Sequence, residues 1–354
     1  HRTTNKYDFV GNLIAQQESY AKDGVTDMLD RTFTYDSRNR LLRETAQVNE
    51  GEQAVVNYAY DELGRLSEKT YGTGEHSIRE KMNYNIQGWL TDKSNNLFTM
   101  KLRYYDPLVD TQAASYTGNI SEWQWQHRLI NGTSSKVPDT YVFTYDDLSR
   151  LTDTKQYRNG LLVNEHIENN ITYDKNGNII TLNRLDNGTY VGCYEFQYSG
   201  NQRERDIESD AYYAYDANGN VTEDALSGFG ISYNILNLPE CLQDNRGSGE
   251  ISHQYWYLAD GTKEMLCDYD YIGQRYVGSL VYNAEFIDSH SFESASFGDG
   301  RIVATSEGTE VHYFLTDHLG STRVVVKETA SFPCDLDRKD YYPFGTAWKL
   351  PIMP

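Results

Sequence analysis

A tyrosine followed by aspartate or asparagine, a turn residue and then a leucine, isoleucine or valine recurs along the 354 residues of this chain. The clearest copy is Tyr60-Asp61-Glu62-Leu63-Gly64-Arg65-Leu66, and others begin at Tyr7, Tyr35, Tyr84, Tyr145, Tyr173, Tyr215 and Tyr233. The long gap from Tyr84 to Tyr145 divides near Tyr104-Tyr105-Asp106. The gap from Tyr173 to Tyr215 divides near Tyr198-Ser199-Gly200-Asn201. Self-similarity of this kind marks supersecondary units that bury a core only by stacking on their neighbours. Spacings mostly in the twenties fit one β-hairpin and are short for a strand-helix-strand unit of roughly thirty residues.

The residues inside each copy point the same way. Aspartate or asparagine starts a turn by bonding its own backbone, glycine supplies a positive φ, and the next strand opens at an aliphatic residue. In Tyr173-Asp174-Lys175-Asn176-Gly177-Asn178 and Tyr215-Asp216-Ala217-Asn218-Gly219-Asn220 the turn holds Asn-Gly, the strongest short-range hairpin signal. Asn-Gly recurs at 131–132, 159–160 and 187–188. Runs such as Val142-Phe143-Thr144-Tyr145 alternate in polarity, and no long stretch keeps an apolar period of 3.6. The expected fold is all-β.

Thirty tyrosines and a mean hydropathy of −0.69 imply an amphipathic wall, wet on both faces, whose rings stack between strands. A net charge of −20 argues against nucleic acid, which needs clustered Lys and Arg, and against an anionic membrane surface. No apolar run is long enough to span a bilayer, so membrane insertion is not expected. Cysteines at 193, 241, 267 and 334 form no CxxC pair and have no adjacent histidine, which leaves buried thiols or one or two disulfides. The chain begins at His1 without a signal peptide and reads as a piece of something longer.

Candidate chemistry is thin. Asp174-x-Asn176-x-Asn178 and Asp216-x-Asn218-x-Asn220 match the opening of a calcium loop. Both lack its sixth-position glycine and closing glutamate. Asp268-Tyr269-Asp270-Tyr271-Ile272-Gly273 lacks the third ligand. Hairpin turns explain all three, and no metal or cofactor is expected. There is no GxSxG, HExxH or phosphate-binding loop. Gly247-Ser248-Gly249 reads as a loop.

The carboxyl-terminal third carries a resemblance. Tyr313-Phe314-Leu315-Thr316-Asp317-His318-Leu319-Gly320-Ser321-Thr322-Arg323 resembles the DHLGSTR hallmark of bacterial Rhs, or YD-repeat, proteins. Tyr341-Tyr342-Pro343-Phe344-Gly345 resembles their Y-x-P-F-G element. Tyr257–Lys263 and Tyr116–Ser121 are similar to the Bacteroides-like members. The resemblance implies a β-hairpin ribbon spiralling into all or part of a hollow barrel or cocoon, with a repeat array over 1–250 and a repeat-associated core over 251–354. It also implies a secreted or surface location and a non-enzymatic scaffold that encloses a carboxyl-terminal toxin for competition between bacteria. Expected partners are that toxin domain or the remaining shell segments of the same polyprotein, with secretion-system or surface proteins. The family's self-cleaving Asp-Pro-x-x-Gly-Leu site lies beyond Pro351-Ile352-Met353-Pro354. Asp317, His318, Gly320, Arg323, Tyr342, Pro343 and Gly345 are the candidate core motif. Here Asp317 accepts backbone N–H bonds, Gly320 supplies positive φ, and Arg323 pairs with a carboxylate. Tyr60, Asp61, Gly64, Arg65, Tyr173, Asp174, Gly177, Tyr215, Asp216 and Gly219 are the candidate repeat turns. Two other classes remain: a teneurin-like adhesion module that binds glycans or protein through exposed clusters such as Trp123-Gln124-Trp125, and a carbohydrate-active enzyme.

Overall fold

Strong turn chemistry at short intervals leaves the chain little choice but to reverse on itself, and it does. The computed structural model describes residues 1–22, 24–128, 137–246, 251–268, 272–285, 289–327 and 334–348. Asn131-Gly132, Gly247–Gly249 and residues 269–271 of the Asp268–Gly273 motif lie outside them. Thirteen strands, from Arg2–Tyr7 to Leu161–Leu162, form one sheet among the described residues, and seventeen, from Glu168–Tyr173 to Cys334–Arg338, form a second. In both sheets strand order is chain order. The fold is an all-β ribbon of antiparallel hairpins, with two short 3-10 turns and no α-helix among the described residues. No described helix is long and apolar enough to cross a membrane.

The chain divides into two compact units. The larger joins Arg2–Asn170, Arg184–Val191 and Ser296–Pro354. In Phe98–Arg103 the side chains of Phe98, Met100 and Leu102 are buried while Lys101 points outward, as a sheet with one wet face requires. The carboxyl-terminal strands Gly300–Thr305, Gly308–Thr316 and Thr322–Lys327 supply Ile302, Tyr313, Leu315, Val324 and Val326 to that core. Polar bonds lock them to the array: Val55 N–H donates to the Tyr313 hydroxyl (3.1 Å), Tyr58 donates to Asp299 (2.6 Å), and Lys69 also meets Asp299. Tyr71 and Tyr313 pack ring against ring at 5.7 Å.

The smaller unit comprises His1, Ile171–Asn183 and Gly192–Ala295. Here strands such as Val221–Asp224, Phe229–Tyr233 and Pro239–Asp244 contain no buried residue. One small cluster, Met265, Cys267 and Ala284 with Trp256 against it, supplies packed apolar contact. Cys193, Cys241 and Cys267 are free thiols. Cys241 and Cys267 both pair in register with Gln254 from opposite sides. They therefore stand two strand spacings apart, about 9.5 Å, beyond the reach of a disulfide.

Candidate functional site

One turn geometry underlies the repeats. In Tyr60–Leu66 the amide of Asp61 donates to Arg65 O (2.9 Å) and that of Gly64 to Asp61 O (2.9 Å), with Gly64 at φ +85°. This is a type I turn closed by a left-handed bulge residue. Asp61 uses one carboxylate oxygen for Arg65 N–H (2.9 Å) and the other for the Arg65 guanidinium (2.7 Å). Asp174 and Asp216 repeat the pattern with asparagine in place of arginine, and Gly177 and Gly219 both take φ +89°. The Asp216 carboxyl is held below its ordinary range, first by the Asn220 amide. In both candidate calcium triplets the aspartate is spent inside its own turn, and the asparagine amides also donate to the neighbouring turn, at Gly200 and Asn237. Among the described residues no cluster of three or more His, Cys, Asp or Glu is placed to hold a metal.

The Asn-Gly pairs fall into two kinds. Asn159-Gly160 and Asn187-Gly188 have positive φ at both residues and form tight two-residue reversals. In 176–177 and 218–219 only the glycine does, because the aspartate two positions earlier captures the backbone first.

The tyrosine of each repeat ties it to the one before. Tyr35, Tyr60, Tyr84, Tyr145, Tyr215 and Tyr233 donate to the carbonyls of Leu13, Leu41, Leu66, Ile120, Arg203 and Val221 at 2.8–3.0 Å. Arg40 and Arg65 lie over the rings of Tyr60 and Tyr84, at 4.5 and 4.7 Å from their centroids. Tyr173 closes the strand Glu168–Tyr173 at the equivalent place.

The DHLGSTR segment is this same turn with an altered partner. Asp317 N–H donates to Ser321 O and Gly320 N–H to Asp317 O, with Gly320 at φ +86°. Asp317 accepts the amides of Leu319 (2.9 Å) and Ser321 (3.0 Å) on one oxygen and Arg323 Nε (2.8 Å) on the other. The arginine has moved two residues along, from turn to strand, and is fully buried. There its second arm reaches Asp340 (3.1 Å), and its plane lies 4.5 Å from the Trp123 ring centroid and 4.9 Å from that of Tyr341. One Asp340 oxygen accepts from Trp125 Nε1 (2.8 Å), His127 Nε2 (2.9 Å) and Arg323. Burial pushes the Asp340 carboxyl up, but the His127 bond and the Arg323 charge outweigh it and hold it at about 2. His318 packs edge-on against Trp123 at 4.7 Å. Burial, with the Arg323 and Lys93 charges, overcomes Asp317 and depresses its imidazole to about 4.

The Tyr341–Gly345 element is a further copy. Tyr341 donates to Thr322 O (2.7 Å), Tyr342 N–H to Thr346 O and Gly345 N–H to Tyr342 O. Pro343 occupies the first turn corner, where its fixed φ fits. The buried Tyr342 ring lies under Arg184, and burial first raises its phenol to about 12. Asp340 and His127 escaped sequence reasoning, because they carry no motif and meet only across more than two hundred residues. The Trp pair stood out in the sequence. Both rings are buried around Arg323 and present no outer platform.

No protein-family model matches the sequence, and no curated protein matches it. Among solved structures, the crystal structure of TcdB2-TccC3 matches 98% of this chain at a TM-score of 0.60 and 13% identity. The likeness is one of fold. The chain spans about a fifth of the length of that protein, 21% of its chain. A porin-like protein from Bacteroides uniformis aligns over 91% of both chains at 10% identity, but a TM-score of 0.17 carries no structural argument. What this chain shares with TcdB2-TccC3 is the hairpin ribbon. In its buried Asp317–Arg323–Asp340 system both Asp317 oxygens and one Asp340 oxygen are engaged, and Arg323 joins the two carboxylates. Chemically it is a bolt, able to fix the carboxyl-terminal strands to the array.

Proposed function

We propose that the chain is a non-enzymatic wall segment of an Rhs-type shell, secreted or surface-borne, that encloses a toxin passenger for competition between bacteria. The observation that carries this reading is the ribbon itself, whose strand order follows chain order through thirteen strands of one sheet and seventeen of the other. A meander of this kind extends a wall without needing a central core. The fold shared with TcdB2-TccC3 over nearly the whole chain supports it. So do the strands Val221–Asp224, Phe229–Tyr233 and Pro239–Asp244 of the smaller unit, which lack buried residues and suit a wall wet on two faces. Enclosure acts sterically and needs no cofactor. The partners are a passenger or further shell segments of the same polyprotein, and neither nucleic acid nor a bilayer is one.

The test is isolation of the protein from the cell that makes it, followed by limited proteolysis and intact mass. A bound polypeptide that survives protease until the wall is denatured supports enclosure. A preparation that contains no such polypeptide, or one whose bound polypeptide is cut as fast as free chain, overturns it.

A further inference from the structure

Five of the reversals between Arg2 and Arg158 use the repeat turn, at Asp8–Asn12, Asp36–Arg40, Asp61–Arg65, Asn85–Trp89 and Asp146–Arg150. At the place of a sixth, between the strands Phe98–Arg103 and Glu122–His127, residues 104–121 stand instead. The frame around this segment is unchanged. Tyr104 donates to Leu90 O (2.8 Å) as a repeat tyrosine does, and Tyr145 donates to Ile120 O (2.8 Å) at the far end. A long connection grafted onto an intact frame is a common setting for binding.

The segment is built, not slack. Glu122 accepts the amides of Leu108 (2.7 Å) and Val109 (3.0 Å), and Asp110 caps the short turn Thr111–Ala113 while pairing with Lys155 at 3.0 Å. Gly118, at φ +98°, lies so close to Trp89 that a Cβ there would come within 3.2 Å of the ring. Together the segment and the strands beside it line a cavity of about 600 Å³, within the range of small-molecule sites.

The lining has a definite chemistry. Tyr116 is 78% exposed, and its ring lies nearly parallel (14°) to that of Tyr105 at 6.2 Å. Gln112, Asn119, Thr144 and Asp147 also line the cavity, and no hydrogen bond is described for any of their side chains. An exposed aromatic face beside unengaged amide, hydroxyl and carboxylate groups matches a pyranose ring, which presents an apolar C–H face and a rim of hydroxyls. Anionic ligands are disfavoured, because Asp110 already neutralises Lys155 and Asp146 and Asp147 stand alongside. We infer that this cavity binds a neutral carbohydrate, one hexopyranose unit stacked on Tyr116 with its hydroxyls bonded by Gln112, Asn119 and Asp147. This goes beyond the wall proposed above, and the two stand or fall separately.

The experiment is a ligand-observed NMR titration of the intact chain with cellobiose, galactose and N-acetylglucosamine, with N-acetylneuraminic acid as the anionic counterpart. Saturable binding of at least one neutral sugar, with a Kd near about 1 mM, is expected. Tyr116→Ala and Asp147→Ala should each weaken it by about tenfold with Tm unchanged, and the anionic sugar should not saturate. Absence of saturation by all three neutral sugars overturns the site. So does unaltered affinity in Tyr116→Ala, or equal affinity for the anionic sugar.

Discussion

The hydroxyl of Tyr60 donates to the main-chain carbonyl of Leu41 at 2.9 Å, the first strand residue after the preceding repeat's turn. Tyr84 does the same to Leu66, Tyr104 to Leu90, Tyr257 to Pro239 and Tyr341 to Thr322. The recurrent tyrosine is therefore less a core residue than a rung between hairpins. Its ring is half-buried while its hydroxyl has a fixed duty.

Replacing Tyr60 by Phe removes one such rung and leaves the ring in place. The cost should be about 1 kcal/mol, felt locally because units in an array couple to nearest neighbours. Native-state hydrogen exchange checks it. Amides flanking Leu41 and Leu66 should exchange about five times faster, whereas unchanged protection there would show that the hydroxyl contributes nothing.

Arg323→Met leaves Asp317 and Asp340 buried without their shared cation. Breaking such a system costs about 3–5 kcal/mol. Arg323→Lys restores charge but not the two-armed reach, so its loss should be intermediate. Denaturant titration of both variants reads this directly, and a loss for Arg323→Met no larger than for a surface arginine would refute the bolt.

Acid should weaken the fold in two stages. His318 titrates near about 4 when folded, against about 6.5 in an unfolded chain. The unfolded state therefore takes up that proton first, and stability falls as pH drops from about 6.5 to 4, by at most about 3 kcal/mol. Asp340, at about 2 when folded, contributes stability that is full above about 3.9 and is lost as pH falls towards 2. Melting temperatures from pH 7 to 2 test both. His318→Gln should flatten the first stage alone, and a His318→Gln curve parallel to wild type between pH 7 and 4 would assign that stage elsewhere.

Asp299 accepts from Tyr58 and pairs with Lys69 across the packing of the carboxyl-terminal strands on the array. Burial first, and then the Asp299 charge, raises the Tyr58 phenol well above its usual range. Asp299→Ala should cost about 2 kcal/mol, the range for bonds to a charged group. Tyr58→Phe in that background should add little, because the two share one interaction. Additive losses would show that they act independently.

The ribbon was legible in the sequence because its turns are made by residues within five positions of one another. Asp61 needs only Gly64 and Arg65 to close its reversal. The gap between Tyr84 and Tyr145 was legible as a missing copy, and Tyr104 fills its tyrosine. The path of the chain beyond Tyr104 was not legible, since residues 104–121 take their shape from Glu122, Lys155 and Trp89 rather than from turn chemistry. The DHLGSTR motif announced Asp317 and Arg323 but not Asp340 or His127. Those partners arrive through the packing of two distant stretches, which no local pattern encodes. Asn-Gly at 176–177 and 218–219 marked real turns, yet the preceding aspartate decided their geometry.

The two margins of the array differ in a way that bears on its history. Along one, Tyr35, Tyr60, Tyr84 and Tyr104 are each measured against the carbonyl before it. Along the other, the links from Val48 to Gln53, Tyr71 to Ile78 and Ser94 to Phe98 differ in length. Gain or loss of a few codons on the slack margin leaves the rungs at their spacing, so copies can drift in length while the pitch holds. A gene built this way tolerates slippage on one side of each hairpin, whereas on the other a change of length must keep the rungs, as residues 104–121 do between Tyr104 and Tyr145.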